Sequence, residues 1–332
     1  MINRKESRSI SVTSGIPQGS VLGPTLFIVF INDLPSTVDS HMKLFADDTK
    51  LYRIVNSKAD SDLLQADINI VSNWSSIWQL PFNENKCKVV HYGKKNQGYD
   101  YTLTTGTHVS PVACGHEEID LGVLFQQDLS FSNHAADAAK RANIKLGIIK
   151  RSFSALQKKG FLTMYKTIIR PTLEYCNSVW CPMLKRDEVM LEKVQQRATR
   201  LLPELKQKAY PDRLRELQLP TLAYRRQRAD MIQIFKILRG FDRLIPSKFF
   251  LLATGSTTRG HNFKIVKQRF NTRLRQYAFS VRSVNNWNAL PNEVVNAATI
   301  NQFKSSLEKY WKNNTNKFDP YLKWDGTVKR DK

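Results

Sequence analysis

Residues 43–52 read KLFADDTKLY and set two adjacent carboxylates, Asp47 and Asp48, between short apolar runs. Leu44 and Phe45 come before the pair, Leu51 and Tyr52 after it. Alternation on both sides predicts a strand, a tight acidic turn and a second strand. Turn chemistry alone explains adjacent aspartates readily, because the side chain bonds to nearby backbone. An apolar strand pair with an aromatic directly before the turn points further, since such strands press the turn against other structure. Two carboxylates on a stiff ribbon suit hard divalent cations, which serve phosphoryl transfer as Mg2+ with oxygen ligands at about 2.0–2.1 Å.

Working outward, RSISVT (8–13) alternates like a half-buried strand and leads into SGIPQGSVLGP (14–24), a loop by its glycines and prolines. TLFIVFINDL (25–34) reads as a buried helix ending at Asp33 and Pro35. Leu63, Leu64, Ile68, Val71 and Trp74 predict an amphipathic helix from Ser57 to Trp78, with Asp60, Asp62 and Asp67 toward water. KCKVVHYG (86–93) and IDLGVLF (119–125) each predict a strand. Beyond Phe131, helices are expected over Lys140–Phe153, Phe161–Trp180, Glu188–Leu202 and Leu222–Leu238. Residues 253–262 form the best linker, Thr299 with Gln302 a capping box opening a last helix to Trp311, and the tail from Lys312 is expected to be loose.

The 332 residues suffice for one large domain or two or three ordinary ones, and 41% hydrophobic residues favour a folded chain. The net charge of +22 points to a polyanionic partner. It is unevenly spread: residues 1–130 hold 11 Lys and Arg against 14 Asp and Glu, net −3, leaving 40 against 15, net +25, for the rest. Tyr224, Arg225 and Arg226 stand among these cations as planar groups suited to stacking on bases. Cys87, Cys114, Cys176 and Cys181 have the spacing of neither a disulfide framework nor a zinc site and read as small buried hydrophobes. The start lacks the apolar stretch of a secretory signal, and the longest apolar run is broken by Gly23 and Pro24, so a soluble intracellular chain with no membrane span is expected. No GxxxxGK[ST] is present, which disfavours a P-loop NTPase.

SGIPQGSVLGPTLFIVFINDLP followed by LFADDTKLY closely resembles the reverse transcriptases of non-LTR retrotransposons, particularly the jockey, CR1 and L2-like lineages. Four polymerase motifs occur in order. Gly15 to Pro24 matches motif B, Phe45 to Asp48 the YxDD box of motif C, LPFNENKCKVVHYG (80–93) motif D, and IDLGVLF motif E, the primer grip. MYKTIIRPTLEYCNSVW, LEKVQQRATRLL and SVRSVNNWNALP extend the similarity over nearly the whole chain.

The resemblance implies an α+β fold: a partial right-hand palm over residues 1–130, a helical thumb over 131–205, and a basic, mainly helical C-terminal module over 206–332. It implies RNA-directed DNA synthesis with Mg2+ and dNTP substrates, an RNA template and a nicked DNA target 3′ end as primer, in the nucleus or a cytoplasmic ribonucleoprotein. Asp47 becomes a metal ligand and Asp48 a support for the site. Phe45 replaces the commoner Tyr, losing a hydroxyl. Lys86 becomes the proton donor to departing pyrophosphate. Gly15, Pro17, Gln18 and Gly19 line the nucleotide and template, and Leu121, Gly122 and Val123 form the primer-grip turn. The family also takes an aspartate from motif A, ahead of motif B, whereas the 14 residues before Gly15 contain none. The expectation is therefore a C-terminal portion, inactive alone, with an exposed apolar face and an unpaired sheet edge. Two alternatives stand beside it: a non-catalytic RNA- or DNA-binding protein, and residual mobile-element coding sequence without a cellular role.

Overall fold

The computed structural model describes residues 15, 19–153, 156–253, 260–312 and 314–321. The predicted strand at 8–13 and most of the predicted linker lie outside them. Helices and small sheets are mixed, in two compact units, Met1–His116 and Glu117–Lys332.

In the first unit, helix α1 (Gly23–Ile31) opens with Pro24 in its first turn, where no N–H is missed, and Ser20 Oγ accepts from Gly23 N at 3.1 Å. A 3-10 turn, Leu34–Thr37, leads to an antiparallel hairpin of β1 (His41–Phe45) and β2 (Asp48–Tyr52). Helix α2 (Lys58–Ile77) follows, with Ser57 and Asp60 in a reciprocal capping box and Trp78 at its end, close to the expected bounds. Ile31, Leu34, Met42, Val71 and Trp74 form the core, joined by Phe27, Leu44 and Leu51.

A short 3-10 turn, Glu84–Lys86, precedes β3 (Lys88–Val90). A hairpin of β4 (Thr102–Thr105) and β5 (His108–Pro111) comes next, then β6 (Ala113–Gly115), which pairs in parallel with β3. Gln65 joins α2 to β4 with two bonds of 2.9 Å, donating to the Thr102 carbonyl and accepting from its N–H.

Helix α1 differs from its predicted burial. Only Ile31 is buried, while Leu26, Ile28 and Val29 are each at least half exposed, at 50, 56 and 70%. The unit's small core takes one edge of this all-apolar helix, and the remaining faces find no cover among the described residues.

The second unit begins with a hairpin of β7 (Glu117–Asp120) and β8 (Val123–Gln126), where one continuous strand was expected. Leu121 and Gly122 turn the chain because both take positive φ, 46° and 81°, the conformation a two-residue hairpin demands. Helix α3 (Ser132–Ser152) lays Ala135, Ala138, Ala139 and Ala142 against its neighbours, and small side chains let the backbones approach closely. Helix α4 (Lys158–Met164), a π-turn over Tyr165–Ile169 and α5 (Arg170–Glu174) replace the expected single helix 161–180. Pro171 has no N–H to offer the preceding turn, and Arg170 N donates five residues back, to the Tyr165 carbonyl. Cys176, at φ 53°, ends the run.

Helices α6 (Lys185–Thr199), α7 (Tyr210–Leu217) and α8 (Leu222–Leu238) follow. Leu222 belongs to the first helical core with Trp180, Leu191 and Leu214; two residues on, Tyr224 begins a second core with Phe235, Trp287, Phe303 and Trp311. That second core is closed by α9 (Arg273–Tyr277), α10 (Phe279–Arg282), α11 (Val284–Asn288), α12 (Asn292–Val295) and α13 (Ile300–Tyr310). Thr299 Oγ1 caps α13 by accepting from Gln302 N at 3.1 Å, whereas the Gln302 side chain accepts from Ala298 N, one residue outside the expected box.

Candidate functional site

The β1–β2 hairpin places the acidic pair. Its register sets Phe45 opposite Asp48, so the turn is Ala46–Asp47 alone and Asp48 opens β2. This refines the expected turn, which held both aspartates. Ala46 adopts φ 51°, the left-handed first position of a hairpin turn matched to strand twist. Met42 and Leu51 face each other toward the core, and so do Leu44 and Thr49. The opposite face carries His41, Lys43, Phe45, Asp48, Lys50 and Tyr52, all exposed.

Asp67 fixes the hairpin to α2. It is buried, accepts from Asp39 N at 3.2 Å and Ser40 N at 2.9 Å ahead of β1, and faces Arg53 Nη2 at 3.5 Å just beyond β2. Arg53 Nε also donates to Ser40 Oγ at 2.8 Å. Burial raises the Asp67 carboxyl, but hydrogen bonds from Ser40 and Asp39 and the Arg53 charge outweigh it and hold the group below its ordinary value. The sequence reading set Asp67 toward water. It lies one helical turn before Val71 and three residues after Leu64, on the apolar stripe itself, and that spacing was the available signal.

Asp47 and Asp48 are exposed, and so is Lys86 on its 3-10 turn. Among the described residues no hydrogen bond or ion pair joins these three side chains, and no group of three or more acidic, Cys or His side chains stands ready to hold a metal ion. Two hard carboxylates at adjacent positions would suit Mg2+, an ion that is commonly held by one or two carboxylates and completes its shell with water and substrate phosphates. Pro17 and Gln18 lie outside the described residues, while Gly15 and Gly19 both have positive φ, 93° and 80°. Lys43 and Lys50, register partners on the Asp48 face, were not singled out from the sequence, although period-two counting from Asp48 finds them.

In the second unit, Leu121 and Gly122 form the exposed tip of the β7–β8 hairpin and Val123 is buried beneath it. Tyr175 braces the tip: its hydroxyl donates to the Leu121 carbonyl at 2.9 Å, and a Cβ on Gly122 would sit 3.3 Å from the Tyr175 ring. His134, buried against Trp180, accepts from Leu124 N at 3.1 Å and ties the hairpin to α3.

Tyr224, Arg225 and Arg226 cannot stack on bases as expected. Tyr224 lies in the second core, Arg225 binds Glu174 with two hydrogen bonds, and Arg226 is buried 3.6 Å from Glu188, because this part of α8 faces inward. Cys114 is exposed and the other cysteines are half-buried, all unbridged, which corrects their reading as buried. No described helix is long and apolar enough to cross a membrane.

Comparison with known proteins bears on the same segment. Residues 1–123 match the family described as Reverse transcriptase (RNA-dependent DNA polymerase). The chain is 28% identical over 201 residues to a probable RNA-directed DNA polymerase from transposon X-element of Drosophila melanogaster, covering 58% of this chain and 22% of that protein. It is 26% identical over 179 residues to the RNA-directed DNA polymerase from mobile element jockey of the same species, covering 49% and 19%. The jockey protein of Drosophila funebris is 27% identical over 184 residues, covering 51% and 19%. The chain thus spans about a fifth of the length of these curated relatives. No solved structure matches. Residues 1–123 are therefore similar to reverse transcriptases, and the chain is similar to the RNA-directed DNA polymerases of non-LTR retrotransposons of the jockey and X-element kind.

Proposed function

We propose that the first unit is the part of an RNA-directed DNA polymerase palm that runs from motif B onward, with Asp47 and Asp48 as anchors for catalytic Mg2+. The observation that carries this reading is the stapled hairpin, which presents Asp47 in a two-residue turn and Asp48 at the first position of β2, inside a segment matching the reverse transcriptase family. Bound there, Mg2+ supplies charge stabilisation for the attacking and leaving oxygens of nucleotidyl transfer. Asp47 holds the ion from the turn and Asp48 supports it from the strand. Lys43 and Lys50 draw polyanions to the same face. The Lys86 ammonium gives its proton to departing pyrophosphate, help worth typically about 10²–10⁴-fold. Gln18 contacts the incoming dNTP, Pro17 stands beside it in the same motif, and Gly15 and Gly19 let backbone approach nucleotide or template without a Cβ in the way. Leu121, Gly122 and Val123 grip the primer.

Because this reading assigns the ion Asp47 and Asp48 alone, we propose that the chain by itself extends primers weakly or not at all. We further propose an RNA template and a DNA primer as partners, which would suit the nucleus or a cytoplasmic ribonucleoprotein, the location the resemblance implies. Mn2+ titration followed by NMR tests metal holding without requiring turnover: broadening should centre on Ala46–Thr49 and vanish in Asp47→Ala. Broadening elsewhere, or unchanged in the variant, sinks the assignment. Primer extension with RNA template, DNA primer, dNTPs and Mg2+ should stay near background, and robust extension abolished by Asp47→Ala would refute the incompleteness. The net charge of +25 beyond residue 130 favours a second reading, nucleic-acid binding indifferent to Asp47 and Asp48.

A further inference from the structure

The cations of the second unit are of two kinds. Those on α8 are matched within the fold. Arg225 binds Glu174, Arg228 and Lys317 share Glu308, and Lys236 meets Asp242 at 2.7 Å. Downstream the composition changes: from Arg243 to Asn292, fifty residues, there are nine Lys and Arg and no Asp or Glu.

Residues 266–276 within this stretch form a ledge. Ten of the eleven are exposed and Phe270 is half-buried. Both ends are anchored. At one, Ile265 is buried and Asn288 brackets its backbone, accepting from its N–H at 2.9 Å and donating to its carbonyl at 2.8 Å, while Val266 N reaches the Leu251 carbonyl at 2.7 Å. At the other, Arg282 donates to the Tyr277 carbonyl at 2.9 Å and pairs with Asp230 at the same distance. Between these anchors stand Lys267, Arg269, Arg273 and Arg275, which have no carboxylate partner among the described residues. Arg273 touches the Met183 carbonyl at 3.5 Å, Arg275 bonds the neutral Gln268 amide, and Lys267 Nζ lies 5.8 Å from the Phe270 ring centre.

We propose that the 266–276 ledge is a binding site for single-stranded nucleic acid, its four cations on backbone phosphates and Phe270 against an unpaired base. Four uncompensated like charges repel one another in the free protein, and a phosphate chain relieves this with release of counterions. A single strand suits the ledge better than a duplex. An aromatic ring offers stacking to an unpaired base, and α9, five residues long, is too short to lie along a major groove. Phosphate and base-face contacts do not touch the sugar, so RNA and DNA single strands bind alike. The ledge belongs wholly to the second unit, and the inference does not rest on the polymerase reading.

The test is fluorescence anisotropy on the full chain with single-stranded RNA, single-stranded DNA and a duplex of one length, over a salt series. The ledge variant carries Lys267→Gln, Arg269→Gln, Arg273→Gln and Arg275→Gln. A control removes the same charge from exposed helix positions through Lys140→Gln, Lys150→Gln, Lys159→Gln and Lys193→Gln. The ledge variant should bind both single strands roughly tenfold or more weakly near about 0.1 M salt and lower the log–log salt slope by about 3, with the control well behind. A control loss equal to or greater than the ledge loss overturns the site, and so does a duplex bound more tightly than a single strand. Phe270→Trp separates binding from folding: its added fluorescence should be quenched by oligonucleotide, and no quenching removes the stacking contact. Mn2+ broadening at Ala46–Thr49 should be the same in the ledge variant as in the parent, so failure here is distinguishable from failure of the metal site.

Discussion

At the scale of single residues, the turns hold side chains in conformations that L-residues avoid. Ala46 at φ 51° lies beside Asp47, and Leu121 at φ 46° precedes Gly122. The left-handed region costs an alanine roughly 1–2 kcal/mol, more for a β-branched side chain. Ala46→Val should therefore lower the denaturation free energy by about 1–2 kcal/mol, while Ala46→Gly should be neutral or mildly stabilising. Urea unfolding of both variants checks this, and a Val variant as stable as the parent would show that the hairpin turns by other means. The acidic pair and its flanking strands were legible in sequence because period-two alternation and an acidic break are local signals. That Asp47 sits in the turn while Asp48 opens β2 was not, since it depends on cross-strand register, which a single strand does not encode.

At the scale of elements, one buried carboxylate organises the acidic hairpin. Asp67 gathers backbone N–H groups ahead of β1 and the guanidinium beyond β2, so α2 and both strands are set by one side chain. Removing an acceptor from two inward N–H groups and a charge partner costs about 2–4 kcal/mol. Asp67→Ala should loosen the hairpin by that much, seen as faster amide exchange through β1 and β2. Because the folded carboxyl sits below its ordinary 3.8, the protection it gives is present above that pH and is lost as acid protonates the folded group. Unchanged exchange in the variant would deny Asp67 this role. The helix was readable from its stripe and its Ser57 cap. The polarity of Asp67 hid its placement, because a charge on an apolar stripe is matched only by partners distant in sequence. The break of the 161–180 helix was hidden differently: Pro171 sits within an apolar period that continues through it.

At the scale of the whole molecule, two buried histidines tie each helical core to its surroundings. His134 accepts from Leu124 N through Nδ1, and His261 accepts from Phe263 N at 3.2 Å while its other nitrogen donates to the Trp287 carbonyl at 3.1 Å. Burial, aided by nearby Arg141 and Lys264, holds both below their ordinary 6.5. The unfolded chain then binds protons first, so stability is full above pH 6.5 and declines as pH drops through the window below it. Melting should thus come earlier at about pH 5.5 than at about pH 7.5, and His134→Gln should narrow the gap. Equal melting temperatures would remove these histidines from the account. The charge asymmetry of the chain was plain in sequence, yet which cations remain uncompensated was not, because pairing joins residues as far apart as Arg228 and Glu308. Distance along the chain matters once more where Thr221, the residue that caps α8, donates its N–H to the Lys317 carbonyl at 2.9 Å and its hydroxyl to the Asn316 carbonyl at 3.0 Å, with Phe318 seated on the first helical core. A stop codon shortly before Asn314 would therefore injure a layer of packing laid down some hundred residues earlier, and nascent chains leaving the ribosome cannot complete that layer until residues 316–318 have been added.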